Sequence, residues 1–322
     1  MPRGQKSKVR DKMPAMGTVH ELIETREKAG TLAFDFDRPV VEAAAAYMAD
    51  EDAGIGLLYS GWCQAALPHR RLANDKGWQI EGERVTLIVE PGMRKGDKGE
   101  PEPVGIPYGS RARLILLRLQ SEALRTQSRD VELGRNLNDW LQRMGIPIGG
   151  RSFKEVKDQT ERISRCRLTF EIRHGGPVGM SNQNIMESGI FFESPEPGQG
   201  TLFAQHARLS EAFFTSLQKH PVPIEESAVR AIANNSMAID IYAWLAYRLH
   251  SLQKPTPASW HALKQQFGIS FSRLDNFKTT FSLNLKLALA VYRDAKLEDG
   301  QGGLILYPSK PPVAPRKIAR SW

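Results

Sequence analysis

Apolar positions recur at helical spacing through much of this chain, and one order of signals occurs twice. A helix carrying a Trp is followed by a large apolar residue, Gly-Ile, a second amphipathic helix, and then strands. The first copy is 138–173, around Trp140, Gly145 and Ile146; the second is 258–294, around Trp260, Gly268 and Ile269. Gly enters the left-handed conformation without steric cost. Gly145 and Gly268 are therefore expected to stop a helix in that conformation, with Ile146 and Ile269 returning to the core. This is the layout of a helix-turn-helix, with two ordinary helical hairpins as the alternative.

The remaining pattern fills in around these copies. Residues 18–30 and 40–49 read as short helices, the second packed beside a first domain. Residues 55–62 and 84–90 read as strands, and 91–107, rich in turn formers and charge, as a flexible loop. A helix spans 110–127 with Ser110 as its cap, and helices 130–144 and 152–165 follow. Strand 167–173 alternates cleanly; its expected return partner is 189–194, across a loop at 174–188, with a third strand at 201–207. A strand hairpin straight after a helix-turn-helix is a wing. Ser210 caps another helix, which ends before Pro221 and Pro223, where the domain junction is expected. The helix 236–252 is apolar nearly all round and should be a domain centre. Residues 255–259 start the next helix, 271–294 forms a long one, and 296–309 forms a hairpin around Asp299-Gly300. The predicted fold is α+β and helix-rich: two tandem winged-helix domains with basic flexible tails. The expected divisions are 1–50 (basic tail and helical arm), 51–222, 223–309, and the basic tail 310–322.

The 322 residues suffice for two domains of ordinary size. No apolar run approaches the roughly 20 residues that span a bilayer, and the basic start lacks the apolar stretch of a secretory signal. The chain is thus expected in the cytoplasm, with no membrane partner. Cys63 and Cys166 are too few for a disulfide framework. The net charge of +8 lies at the ends. Arg3, Lys6, Lys8, Arg10 and Lys12 oppose only Asp11 in 1–17, while Lys310, Arg316, Lys317 and Arg320 meet no acid in 310–322. The body between is neutral, so any nucleic-acid surface must be a local patch. Basic tails are familiar phosphate-contacting arms.

Enzyme signatures are missing from the sequence. It has no GxxxxGK[ST] loop, no HxH pair, and no histidine at ligand spacing to Cys or acids. Asp35 and Asp37 in FDFD fit a short strand better than a metal pair. The expectation is a non-enzyme without metal or cofactor.

The second long helix carries the better DNA-reading face. Leu274, Phe277, Phe281 and Leu285 fall on one side of a helical wheel. Ser272, Asn276, Thr279 and Lys286 lie opposite, with Arg273 and Thr280 on the flank; these side chains suit base edges and phosphates. In the first copy, Phe153, Val156 and Ile163 point inward. Its outer face mixes Lys154, Arg162 and Arg165 with Glu155, Asp158 and Glu161, a balance more typical of a solvated or protein-facing surface. Arg151 and Lys154, near that helix's start, remain candidates for holding phosphates.

Residues 224–255, above all the IDIYAWLAYRL core at 239–249, resemble plasmid-encoded RepA-type replication initiators of Gram-negative bacteria. Segments 208–224 and 145–170 fit the same family, and the likeness covers about 50–309. The resemblance implies winged-helix domains that bind repeated double-stranded sites (iterons) at a plasmid origin. It also implies recruitment of host DnaA and the replicative helicase, with homodimers opposing initiation and controlling copy number. A winged-helix transcriptional regulator or autorepressor is the alternative; paired, dissimilar DNA-binding domains in one chain favour the initiator.

Overall fold

A computed structural model of the chain describes residues 17–31, 37–51, 54–82, 84–132, 137–172, 179–189 and 206–314. Two helices lead, α1 (Gly17–Thr31) and α2 (Arg38–Ala49), the latter with Pro39 in its first turn, where a missing N–H is harmless. Then come β1 (Ile55–Tyr59), α3 (Ser60–Gln64), β2 (Trp78–Glu81), β3 (Val85–Glu90), β4 (Gly92–Lys95) and β5 (Pro101–Gly105). Next are α4 (Gly109–Thr126), β6 (Asp130–Glu132), α5 (Leu137–Arg143), α6 (Gly150–Arg165), β7 (Arg167–Ile172), β8 (Gly179–Asn184), β9 (Met186–Gly189) and β10 (His206–Leu209). The chain continues with α7 (Glu211–Lys219), β11 (Pro221–Glu225), α8 (Glu226–Ala231), α9 (Ser236–Arg248) and β12 (Thr256–Ser259). It closes with α10 (Trp260–Phe267), α11 (Leu274–Ala290), β13 (Leu297–Gly300) and β14 (Gly303–Leu306). The fold is mixed and helix-rich.

One antiparallel sheet runs β2-β3-β7-β8, and Leu87, Val89, Leu168 and Phe170 bury their side chains beneath it. Tyr59 and Trp62 meet Phe170 edge-on, with ring centroids 5.3 and 5.5 Å away. Smaller sheets run β6-β10-β9 and β12-β14-β13, and β1 pairs with β11. The expected central helix is borne out: Ile241, Tyr242 and Leu245 of α9 are fully buried. It packs against α4, so a single apolar core continues from the first half of the chain into the second. Ser210 and Ser259 each accept a backbone N–H at 3.2 Å and start α7 and α10.

Several expectations are corrected. Helix α4 begins at Gly109, and Ser110 lies inside its first turn instead of capping it. The expected loop 91–107 holds the β4–β5 hairpin, whose polar strands are tied by an Arg94–Glu102 ion pair at 2.6 Å. Strand β7 returns through β8 at 179–184, inside the expected loop, and not through 189–194. Strand β8 is a sheet edge, where polar residues such as MSNQN are at home and hide the strand from periodicity. Of the expected partner 189–194 only Gly189 is described, and of 201–207 only His206 and Ala207, both in β10. The junction prolines lie in β11, which has one neighbour, so its unpaired edge tolerates a missing N–H. Residues 256–259 form β12 and not a helix start. Helix α2 packs on α8 and α11 in the second half, through Val40, Val41, Ala43 and Ala44, not beside the first domain. The small alanines permit a close approach whose partner no local pattern reveals.

Candidate nucleic-acid interface

Helix α11 is held by an aromatic cluster. Phe277, Phe281 and Leu285 are fully buried as expected, and Phe281 has ring neighbours Phe277 at 5.3 Å, Phe267 at 5.6 Å and Trp260 at 5.9 Å. These contacts fix the rotation of the helix about its axis, so Asn276 and Thr279 are held on the exposed side. Leu274 departs from the predicted inner face and is 38% exposed. As the first helical residue it projects past the edge of the core, and Phe271 packs on Phe277 at 5.8 Å in its stead. Ser272 and Arg273 precede the helix instead of lying on it; Arg273 occupies the N-cap position, with its side chain 74% exposed. Thr279 and Thr280 donate their hydroxyl protons to the Asp275 and Asn276 carbonyls at 3.1 and 3.0 Å. They therefore offer lone pairs outward, Thr280 from a half-buried position.

The turn before α11 differs from its prediction. Gly268 has φ −128°, not a left-handed value. Its requirement is space, because a β-carbon would collide with the Phe277 ring. Ile269 does not return to the core but is 49% exposed. Lys286 is also corrected. Its ammonium sits 2.7 Å from Asp37 at the start of α2, so it pairs within the chain instead of standing free on the outer face. The same arm contributes a His20–Ala290 hydrogen bond at 2.8 Å and an Arg293–Glu24 pair at 3.0 Å.

The first copy keeps its predicted turn. Gly145 is left-handed at φ +66°, and Ile146 is buried. The surface of α6, however, is less mixed than its sequence. Glu155 is bound by Arg151 at 2.8 Å and Arg111 at 3.2 Å, and the Arg151 hydrogen bond draws its carboxyl below the usual range. Asp158 pairs with Arg162 at 2.9 Å, and Glu161 with Arg94 at 3.3 Å and Arg165 at 3.5 Å. Arg162 is buried beneath the helix, over the Tyr108 ring, and does not belong to the outer face. Arg151 and Lys154 are exposed at the start of α6, whose first turn has no acid. Cations at a helix N-terminus work against its dipole; Arg151 is offset by its pair with Glu155 one turn on, and Lys154 stands exposed.

The chain order α9, β12, α10, α11, β13, β14, with β12 on β14, parallels α4, β6, α5, α6, β9, β10, with β6 on β10, except that β7 and β8, which join the separate four-stranded sheet, intervene between α6 and β9. Among the described residues, no group of three or more His, Cys, Asp or Glu could hold a metal, and no helix is long and apolar enough to cross a membrane. Asp35 lies outside the described residues, as do 1–16 and 315–322 of the basic tails.

Residues 106–260 match the family described as plasmid encoded RepA protein, which supports the RepA-type replication-initiator resemblance over that part of the chain. No curated protein matches the sequence. The crystal structure of domains 2 and 3 of RctB (selenomethionine derivatives) is 12% identical and covers 79% of this chain and 99% of its own, with a TM-score of 0.50. A second structure of RctB domains 2-3, also 12% identical, covers 76% and 93% at a TM-score of 0.45. At such identity the first likeness speaks to the fold alone.

Proposed function

We propose that this chain is a sequence-specific initiator that binds repeated duplex sites at a plasmid origin. In this reading 51–222 and 223–309 are tandem winged-helix domains, and α11 is the helix that enters the major groove. The observation that carries it is the aromatic pinning of α11, which holds Asn276 and Thr279 outward in one register beside Ser272 and Arg273. The repeated element order supports the tandem winged-helix assignment, and the paired acids of α6 make Arg151 and Lys154 suitable phosphate contacts. Recruitment of host DnaA and helicase, homodimerisation opposed to initiation, and a cytoplasmic setting belong to this proposal and rest on the RepA-type likeness alone. An autorepressor would need only to occupy an operator; two unlike DNA-binding units in one chain favour the initiator.

Binding by variant proteins tests this reading. Asn276 suits a bidentate pair with adenine and Arg273 one with guanine, each giving about 1–3 kcal/mol of discrimination. Asn276→Ala and Arg273→Ala should each weaken binding to the selected duplex by that amount and leave random-duplex binding nearly unchanged. Lys154→Ala should weaken both targets alike and reduce the salt slope by about one. Full selectivity in the first two variants, with loss of selectivity in the third, would move the reading helix to α6.

A further inference from the structure

Among the polar contacts between the two halves, one that is buried centres on Arg113 of α4. Its guanidinium is buried and grips the Asp240 carboxylate of α9 with two bonds of 2.6 Å, one from Nε and one from Nη2. The remaining donors go to the carbonyls of Leu67 at 2.7 Å, Gly109 at 2.8 Å and Pro68 at 3.4 Å, so every N–H of the group has an acceptor. His69, on the same loop, lies 3.1 Å from the Ser236 hydroxyl at the start of α9 and shares a hydrogen bond with the Phe267 backbone at the end of α10. Burial, with the Arg113 charge beside it, pushes the imidazole down to about 4, so His69 is neutral at physiological pH. Two residues earlier on α4, Arg111 pairs with Glu155 of α6 and reaches the Asn234 side chain at 3.4 Å. One helix therefore carries a contact to α6 and a saturated contact to α9, and His69, beside that contact, reaches the end of α10 just before the turn into α11.

We propose that Arg113, Asp240 and His69 form a tie that fixes how far apart, and at what rotation, α6 and α11 are presented. Apolar contacts between α4 and α9 fix close packing but carry little directionality, since burial of apolar surface is non-directional. A guanidinium with all its donors matched in a buried site tolerates one placement only, and such groups are best attested as setters of register. The tie positions; it does not touch DNA. Resting on the reading in which both helices meet one duplex, it makes the protein demand a single spacing between the base pairs under α11 and the phosphates under α6.

The distance test uses the full chain with spin labels at Lys157→Cys of α6 and Leu283→Cys of α11, both exposed, while the DNA test uses unlabelled chains; the native Cys63 and Cys166 are buried. Arg113→Met with Asp240→Leu removes the charges while keeping bulk, and Arg113→Lys keeps the charge but cannot saturate the site. Double electron–electron resonance should give one narrow distance distribution for the parent and at least a doubled width in both variants. On a duplex selected from random sequence, inserting about five base pairs between the two protected segments turns one of them to the opposite side of the helix. The parent should lose at least tenfold in affinity on insertion and the folded variants less than threefold. Unchanged width and an unchanged insertion penalty in either variant would overturn the tie. Should no form select any duplex, the DNA reading falls, while the label distances still decide the tie on their own.

Discussion

Phe281→Ala is expected to lower the stability of the chain by about 3–5 kcal/mol, the range for deleting a buried aromatic ring. The side chain is fully buried among Trp260, Phe267 and Phe277. Its removal opens a cavity between α10 and α11 that neither helix can close without sliding. The functional loss should exceed the loss of folded protein, because the same ring sets the rotation that keeps Asn276 outward. Phe281→Leu, which retains most of the volume, should cost about 1.5 kcal/mol or less and keep selective binding. Urea unfolding followed by tryptophan fluorescence, with binding measured on the folded fraction, checks both. A loss below about 1 kcal/mol for Phe281→Ala, or full selectivity in that variant, would show that the cluster does not hold the helix.

The second large effect concerns the buried pair. Asp240→Ala leaves the Arg113 guanidinium without its carboxylate in a site closed to water, at a cost of about 3–5 kcal/mol. Replacing both charges with apolar side chains of similar volume is often neutral or stabilising. Arg113→Met with Asp240→Leu should therefore be much more stable than Asp240→Ala alone, although it changes more atoms. The order of the urea midpoints decides the matter. A single substitution that is milder than the double one would mean that Arg113 finds another partner or reaches solvent.

What the sequence made legible was what local periodicity encodes. The spacing of Phe277, Phe281 and Leu285 defines the inner face of α11, and the apolar run 239–249 marks the buried α9. The last hairpin was expected correctly, although its turn falls at Gln301-Gly302 and the predicted Asp299-Gly300 is paired in β13. The left-handed Gly145 was equally readable, since a helix stop before a core isoleucine asks for that conformation. Contacts between distant segments were not. Lys286 and Asp37 are 249 positions apart, and nothing near either residue announces the other. The acids of α6 appeared as a mixed surface because two of their partners, Arg94 and Arg111, stand on other elements. Gly268 was assigned a left-handed turn on the analogy of Gly145, but its neighbour Phe277, nine positions on, excludes a side chain there for lack of room. One signal was available for the buried pair. Asp240 is an acid within an otherwise apolar helix, and a lone charge in a buried stretch requires a partner.

The measurement that bears most directly on an origin-binding initiator is nuclease protection of the DNA flanking its own gene by the full chain. The account predicts protected tracts that recur at a regular interval of about two helical turns. Their affinity should exceed that for random duplex by at least about a thousandfold at physiological salt. Binding to this DNA no tighter than to random duplex at every salt concentration, with no repeating protection, would contradict it.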